Sequence, residues 1–168
     1  MVLPESAVIL LAEDRPDDVK LIQMALAKAG VFNPLLFVPD GEQALAYLDG
    51  IGKYCDRKLY PLPDILLLDL KMPKVDGFEV LQEIKKRPQL QFIRILVLTS
   101  SQEMADVNRA YALGANSFLV KPLEFENYTA LMRTLSSFWL HANRFAQIAP
   151  AAANAKSPPP ANPNSPRV

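Results

Sequence analysis

The sequence predicts an α/β fold, a doubly wound five-stranded parallel sheet flanked by five helices. Two observations carry this. Between residues 7 and 145, short apolar runs alternate with segments of helical spacing, the pattern of successive strand–helix units around a parallel sheet. The apolar runs are also continuous rather than polar at every second place, as expected of strands buried on both faces. Half of the 168 residues are hydrophobic, and a chain of this length can close one core of its own.

The elements follow in order. AVILLA (7–12) reads as the first strand. A helix over 17–30 carries Val19, Leu21, Ile22, Leu26 and Ala29 near helical spacing. Pro16 suits its first turn, Asp17 and Asp18 suit the positive end of its dipole, and Gly30 suits its stop. LLFV (35–38) is the second strand, and a short helix over 41–50 ends in glycine. DILLLD (64–69) is the third strand. A helix over 77–87 stops before Pro88. IRILVLTS (93–100) is the fourth strand, followed by a helix over 103–115. SFLV (117–120) is the fifth strand, and a long helix covers 124–145.

From Ala149 onward the text is APAAANAKSPPPANPNSPRV, with almost nothing to bury. Residues 1–148 are therefore expected to form one domain with an extended last helix, and 149–168 a disordered tail. Eighteen basic residues face eighteen acidic ones, so the net charge gives no footprint for nucleic acid or an anionic membrane. No apolar run reaches spanning length, and Glu13-Asp14 interrupts the N-terminal one, against a signal peptide. The single cysteine, Cys55, excludes an internal disulfide. A cytoplasmic protein is expected.

In such folds, ligands gather beyond the carboxyl ends of the strands. Glu13 and Asp14 follow the first strand there, Asp69 the third, Thr99, Ser100 and Ser101 close the fourth, and Lys121-Pro122 follows the fifth. Singly, each has a bland reading as a solvated turn or a helix cap. Together they place three acids, a hydroxyl cluster and one lysine at one edge. Crowded carboxylates demand cations. An all-oxygen donor set favours a hard ion, Mg²⁺, and a carboxylate beside it is able to act as a phosphoryl-accepting nucleophile.

The stretches LLAEDRPDD, DILLLDLKMPKVDGFEVL, ILVLTSS and SFLVKPLEFENY resemble the receiver domain of two-component response regulators, the CheY-like family, over roughly residues 6–142. The resemblance implies that Asp69 is the phosphoacceptor and that Glu13, Asp14, Asp69 and the backbone carbonyl of Lys71 hold Mg²⁺. It implies that Thr99 and Lys121 bind the phosphoryl group and that Thr99 and Phe118 form the switch. Pro122 matches a proline that is cis in the family. The implied partner is a sensor histidine kinase. The implied chemistry is phosphoryl acceptance with self-dephosphorylation only, not enzymatic turnover of other substrates. Lys71 and Ser101 are placed near the phosphoryl site, where they would tune its lifetime.

No patterned output domain follows, so a single-domain regulator is expected. The long connection GIGKYCDRKLYPLP (50–63) and the extended last helix are similar to the small regulators paired with cyanobacterial and bacterial phytochromes. Leu131, Leu135, Phe138, Trp139 and Phe145 add apolar bulk to that helix. They predict a homodimer through the fourth helix, fifth strand and last helix. His141, the only histidine, reads as a surface or interface residue rather than a phosphorelay histidine. Three rival readings compete with this one. A dehalogenase-type phosphatase wants a second acid where Lys71 stands. A phosphorylation-independent pseudo-receiver binding module usually lacks one of the acceptor, acids or lysine. A DNA-binding regulator is disfavoured by charge.

Overall fold

The computed structural model describes residues 7–143. Five parallel strands form one sheet: β1 (Ile9–Ala12), β2 (Leu35–Val38), β3 (Ile65–Leu68), β4 (Arg94–Thr99) and β5 (Ser117–Val120). Their order is β2-β1-β3-β4-β5, the flavodoxin-like doubly wound arrangement, whose switch point lies between β1 and β3. The helices are α1 (Pro16–Lys28), α2 (Gly41–Asp49), α3 (Gly77–Lys85), α4 (Met104–Ala112) and α5 (Phe125–Leu135).

The continuous apolar strands have the expected explanation. On one face, Leu10, Ala12, Leu66, Leu68, Ile95 and Val97 join Leu48, Val80, Leu81 and Ile84 from α2 and α3. On the other, Ile9, Leu11, Ile65, Leu67, Leu96 and Leu98 join Ile22, Leu26, Met132 and Leu135 from α1 and α5. Each fully buried leucine or isoleucine contributes about 1.5–3 kcal/mol, so the three central strands anchor both cores. The edge strands depart from this pattern: β2 exposes Phe37 and β5 exposes Val120.

Two segments differ from the sequence reading. The long connection before β3 is an ordered aromatic knot. A 3₁₀ turn (Gly52–Tyr54) brings Tyr54 within 5.2 Å of both Tyr47 and Tyr60 between ring centroids. Arg57 donates to the carbonyls of Tyr47, Leu48 and Tyr60 at 2.8, 2.7 and 3.2 Å, satisfying orphan acceptors at the end of α2. Gly50, at φ 69°, closes that helix in the left-handed conformation.

The last helix is shorter than its pattern. It stops at Leu135 and continues with wider π-type winding over Ser136–Ala142. There Ser137 donates to the Arg133 carbonyl at 2.9 Å, and the His141 ring lies 2.9 Å from the Ser136 carbonyl. Such side-chain bonds compete with the helical ladder. Leu135 and Leu140 are buried, Leu131 and Trp139 pack partly on the molecule's own core, and Phe138 stays exposed. Phe145 and the tail from residue 149 lie outside the described residues. No helix among the described residues is long and apolar enough to cross a membrane.

Candidate phosphoryl and metal site

Strand register assembles the site. Ala12 pairs with Leu68, and the amide of Asp69 donates to the Ala12 carbonyl at 3.0 Å, so the residues after β1 and β3 emerge side by side. Thr99 pairs with Val120, and the amide of Lys121 donates to the Thr99 carbonyl at 2.8 Å. The ends of β1, β3, β4 and β5 thereby deliver Glu13, Asp14, Asp69, Thr99 and Lys121 to one edge.

The Lys121 ammonium is the hub. Its Nζ lies 2.6 Å from Glu13 Oε2, 2.9 Å from Asp69 Oδ2 and 2.9 Å from Asp18 Oδ2. Burial alone would lower the lysine pKa, but hydrogen bonds to Asp69, Glu13 and Asp18 outweigh it and hold the ammonium above its ordinary range. Glu13 is shifted upward: burial dominates, Lys121 opposes, and the Asp69 charge adds to the rise. Tyr128 lies buried nearby, and its hydroxyl is pushed up to about 12 by burial against the pull of Lys121.

Carboxylate oxygens of Glu13, Asp14 and Asp69 lie within 4.8 Å of one another. Asp14 Oδ1 is buried without a hydrogen-bond partner, a costly state for a charged oxygen. An orphaned oxygen inside an all-oxygen donor set fits a hard divalent cation, with Glu13, Asp14 and Asp69 as its holders. The amide of Lys71 donates to Asp69 Oδ1 at 3.3 Å while its side chain is exposed, which leaves its backbone, not its ammonium, beside the acceptor.

The loop after β3 is clamped on both sides. Lys74, at φ 68°, reaches Asp40 Oδ2 at 2.6 Å, and Asp40 also caps α2 by accepting from the Gln43 amide at 2.8 Å. Asp40 is held below its usual range: burial opposes this, but its bonds to Lys74 and the Gln43 amide prevail. At the other end, Asp76 and Glu79 form a reciprocal capping box on α3.

The remaining expected residues fall into place differently. Thr99 is fully buried, and its hydroxyl accepts from the Ser101 amide at 3.4 Å. The Ser101 hydroxyl donates to Asp106 at 2.5 Å and accepts from the Glu103 amide at 3.4 Å, which ties it to the start of α4. Phe118 is half-buried against the core, and its amide donates to the Tyr111 hydroxyl at 3.2 Å. The Lys121–Pro122 bond is a correction to the expected cis form: no described peptide bond is cis, and trans is the intrinsically favoured isomer of such bonds. His141 is exposed, apart from the site. Asp18 is the site residue the sequence reading missed. It sits in the first turn of α1, and that position explained it fully as a dipole partner.

The chain is similar to known proteins along most of its length. Residues 9–133 match the family described as the response regulator receiver domain. The response regulator Rcp1 of Synechocystis sp. is 39% identical over 133 residues, covering 79% of this chain and 88% of that protein. The probable methanogenesis regulatory protein FilR2 of Methanothrix harundinacea is 39% identical over 140 residues, covering 82% and 86%. The phosphorylated cyanobacterial phytochrome response regulator RcpA superposes with a TM-score of 0.78 at 36% identity, over 84% of this chain and 99% of that one. The Mn²⁺-bound form of Rcp1 superposes at 0.75 and 37% identity, over 84% and 99%.

Proposed function

We propose that this chain, which belongs to the response regulator receiver family, is a switch that accepts a phosphoryl group on Asp69 from a sensor histidine kinase. The observation that carries the proposal is the meeting of three acids within 4.8 Å with a lysine 2.9 Å from the acceptor carboxylate. A carboxylate oxygen of Asp69 attacks the phosphorus of a phosphohistidine. An O–P bond forms as the N–P bond breaks, and its electron pair returns to the imidazole. Lys121 donates to the transferring group, and positioning supplies most of the catalysis. Glu13, Asp14, Asp69 and the Lys71 carbonyl would hold Mg²⁺, which would neutralise charge on the phosphoryl group. The Thr99 hydroxyl then turns toward the new oxygens, Phe118 moves into the space it leaves, and the α4–β5–α5 surface repacks. Water attack at phosphorus releases phosphate and restores the carboxylate. On this reading the chain turns over no other substrate and works in the cytoplasm.

Intact mass after incubation with acetyl phosphate and Mg²⁺ tests this. Wild type is expected to gain one phosphoryl group, and Asp69→Asn, or wild type with chelator, none. A folded wild type that gains nothing would favour the phosphorylation-independent binding module instead.

The input kinase is proposed to be a phytochrome, supported by the likeness to RcpA. Light-dependent phosphoryl transfer from such a kinase to Asp69 is the corresponding measurement. The partner of the switch surface is proposed to be a second copy of the chain. Met104, Tyr111, Val120, Leu123 and Phe138 are exposed on or beside α4, β5 and the last helix, more apolar surface than a lone receiver needs. Light scattering is expected to give a dimer, and Phe138→Glu to weaken it. A monomer at high micromolar concentration would refute the dimer and leave the acceptor chemistry intact.

A further inference from the structure

We infer that Asp18 is a positioning residue for phosphoryl transfer: with Glu13 it forms a two-carboxylate seat that holds the Lys121 ammonium with one N–H directed at the acceptor. The inference rests on the phosphoacceptor reading of Asp69. An ammonium has three donors and no acceptor, and the structure gives Lys121 one carboxylate for each: Glu13 at 2.6 Å, Asp18 at 2.9 Å and Asp69 at 2.9 Å. All four side chains are largely buried, with Asp18 the most open at 15% exposure. The bonds are therefore little screened and their directions hold.

The three partners are not equivalent. Asp69 is consumed as a carboxylate when it takes the phosphoryl group, so its bond to Lys121 must pass to a phosphoryl oxygen. Glu13 belongs to the trio able to hold a metal and divides its charge between that ion and the lysine. Asp18 stands outside the trio. Its other cationic neighbour is Arg15, 4.0 Å away with a side chain 68% exposed, a weak competitor. Asp18 alone is committed to Lys121 before, during and after transfer. A lysine stem is long and flexible, and a fixed seat removes the search that such a stem otherwise makes. The carboxylate comes from the first turn of α1, which packs against α5, so the seat belongs to the rigid body rather than to the loops that move.

The test compares the full-length chain with Asp18→Ala, Asp18→Asn and Lys121→Met, and with the Lys121→Met double variants, at saturating Mg²⁺ and with folding verified by circular dichroism. Phosphoryl uptake from acetyl phosphate is followed by intact mass. Asp18→Ala is expected to slow uptake about tenfold, the scale of one coupled contact. Asp18→Asn, which keeps an acceptor oxygen, is expected to fall between it and wild type. In the Lys121→Met background the Asp18→Ala change is expected to have no further effect. Wild-type uptake by Asp18→Ala, equal slowing by Asn and Ala, or equal slowing in both lysine backgrounds would each overturn the seat. If wild type takes up no phosphoryl group, the acceptor reading fails instead. The seat is then judged by urea unfolding, where the Asp18 and Lys121 substitutions are expected to be non-additive and additivity overturns it.

Discussion

Replacing Gly77 with alanine is expected to lower stability by about 1–3 kcal/mol, the usual cost of forcing extra volume into a packed site, and to impair phosphoryl uptake with it. A Cβ on Gly77 would press on the Asp69 carbonyl oxygen and come within 2.6 Å of Leu70 Cα. Both are backbone atoms, so neither is able to rotate away. Retreat of the helix is resisted as well. The capping box closes the start of α3, with the Glu79 amide 2.8 Å from Asp76 Oδ1, and the Gly77 amide donates to the Leu70 carbonyl at 3.0 Å. The strain therefore falls on the Asp69–Leu70 peptide, which carries the acceptor. Gly41 is the same device on the opposite flank, since a Cβ there would meet the Val75 backbone. Urea unfolding and acetyl phosphate uptake, measured together, are the check. Wild-type values for both would refute this account of why glycine follows the acidic loop.

Lys121→Met is expected to have the largest effect at the site. Removing one partner from a buried ionic cluster costs about 3–5 kcal/mol, and here it leaves the carboxylates of Glu13, Asp18 and Asp69 facing one another. Two conditions are expected to restore stability. Mg²⁺ replaces the lost positive charge, so the melting temperature becomes steeply Mg²⁺-dependent. Acid restores it too, and Glu13 gives the sign. Burial already raises its pKa, and loss of Lys121 removes the chief opposing influence. An acid with a raised folded pKa costs stability above that pKa, and the cost disappears as pH falls through it. Phosphoryl uptake is expected to fall about a hundredfold or more, as for loss of a preorganised donor to a developing anion. Thermal melts over pH 4–8 with and without Mg²⁺ (a range of about four units spanning the carboxylate titration) test the stability claim. A melting temperature unmoved by both acid and metal would refute it.

Much of the protein is legible in the residue order. The boundaries of β2 and β5 coincide with LLFV and SFLV, because a short apolar run between turn residues has few alternatives to a strand. The acids, the threonine and the lysine each end a strand, and a parallel sheet necessarily brings strand ends together. The C-terminal winding was less legible. Residues 124–145 keep helical spacing, but that period does not report the wider winding that sets in at Ser136. Ser101 reads equally as a site hydroxyl or as part of a helix start, and its hydroxyl bonds Asp106 and the Glu103 amide ahead of α4.

The residue order fixes the set of chemical groups and the edge they share, because strand-end position follows from apolar patterning and parallel topology alone. Which of these groups touch is set by packing in three dimensions. Asp18 with Lys121, Lys74 with Asp40, and Arg57 with the end of α2 are contacts between side chains on different elements. Their partners depend on strand register, helix rotation and rotamer. No local spacing encodes those three quantities, since they are set by packing both faces of the sheet at once.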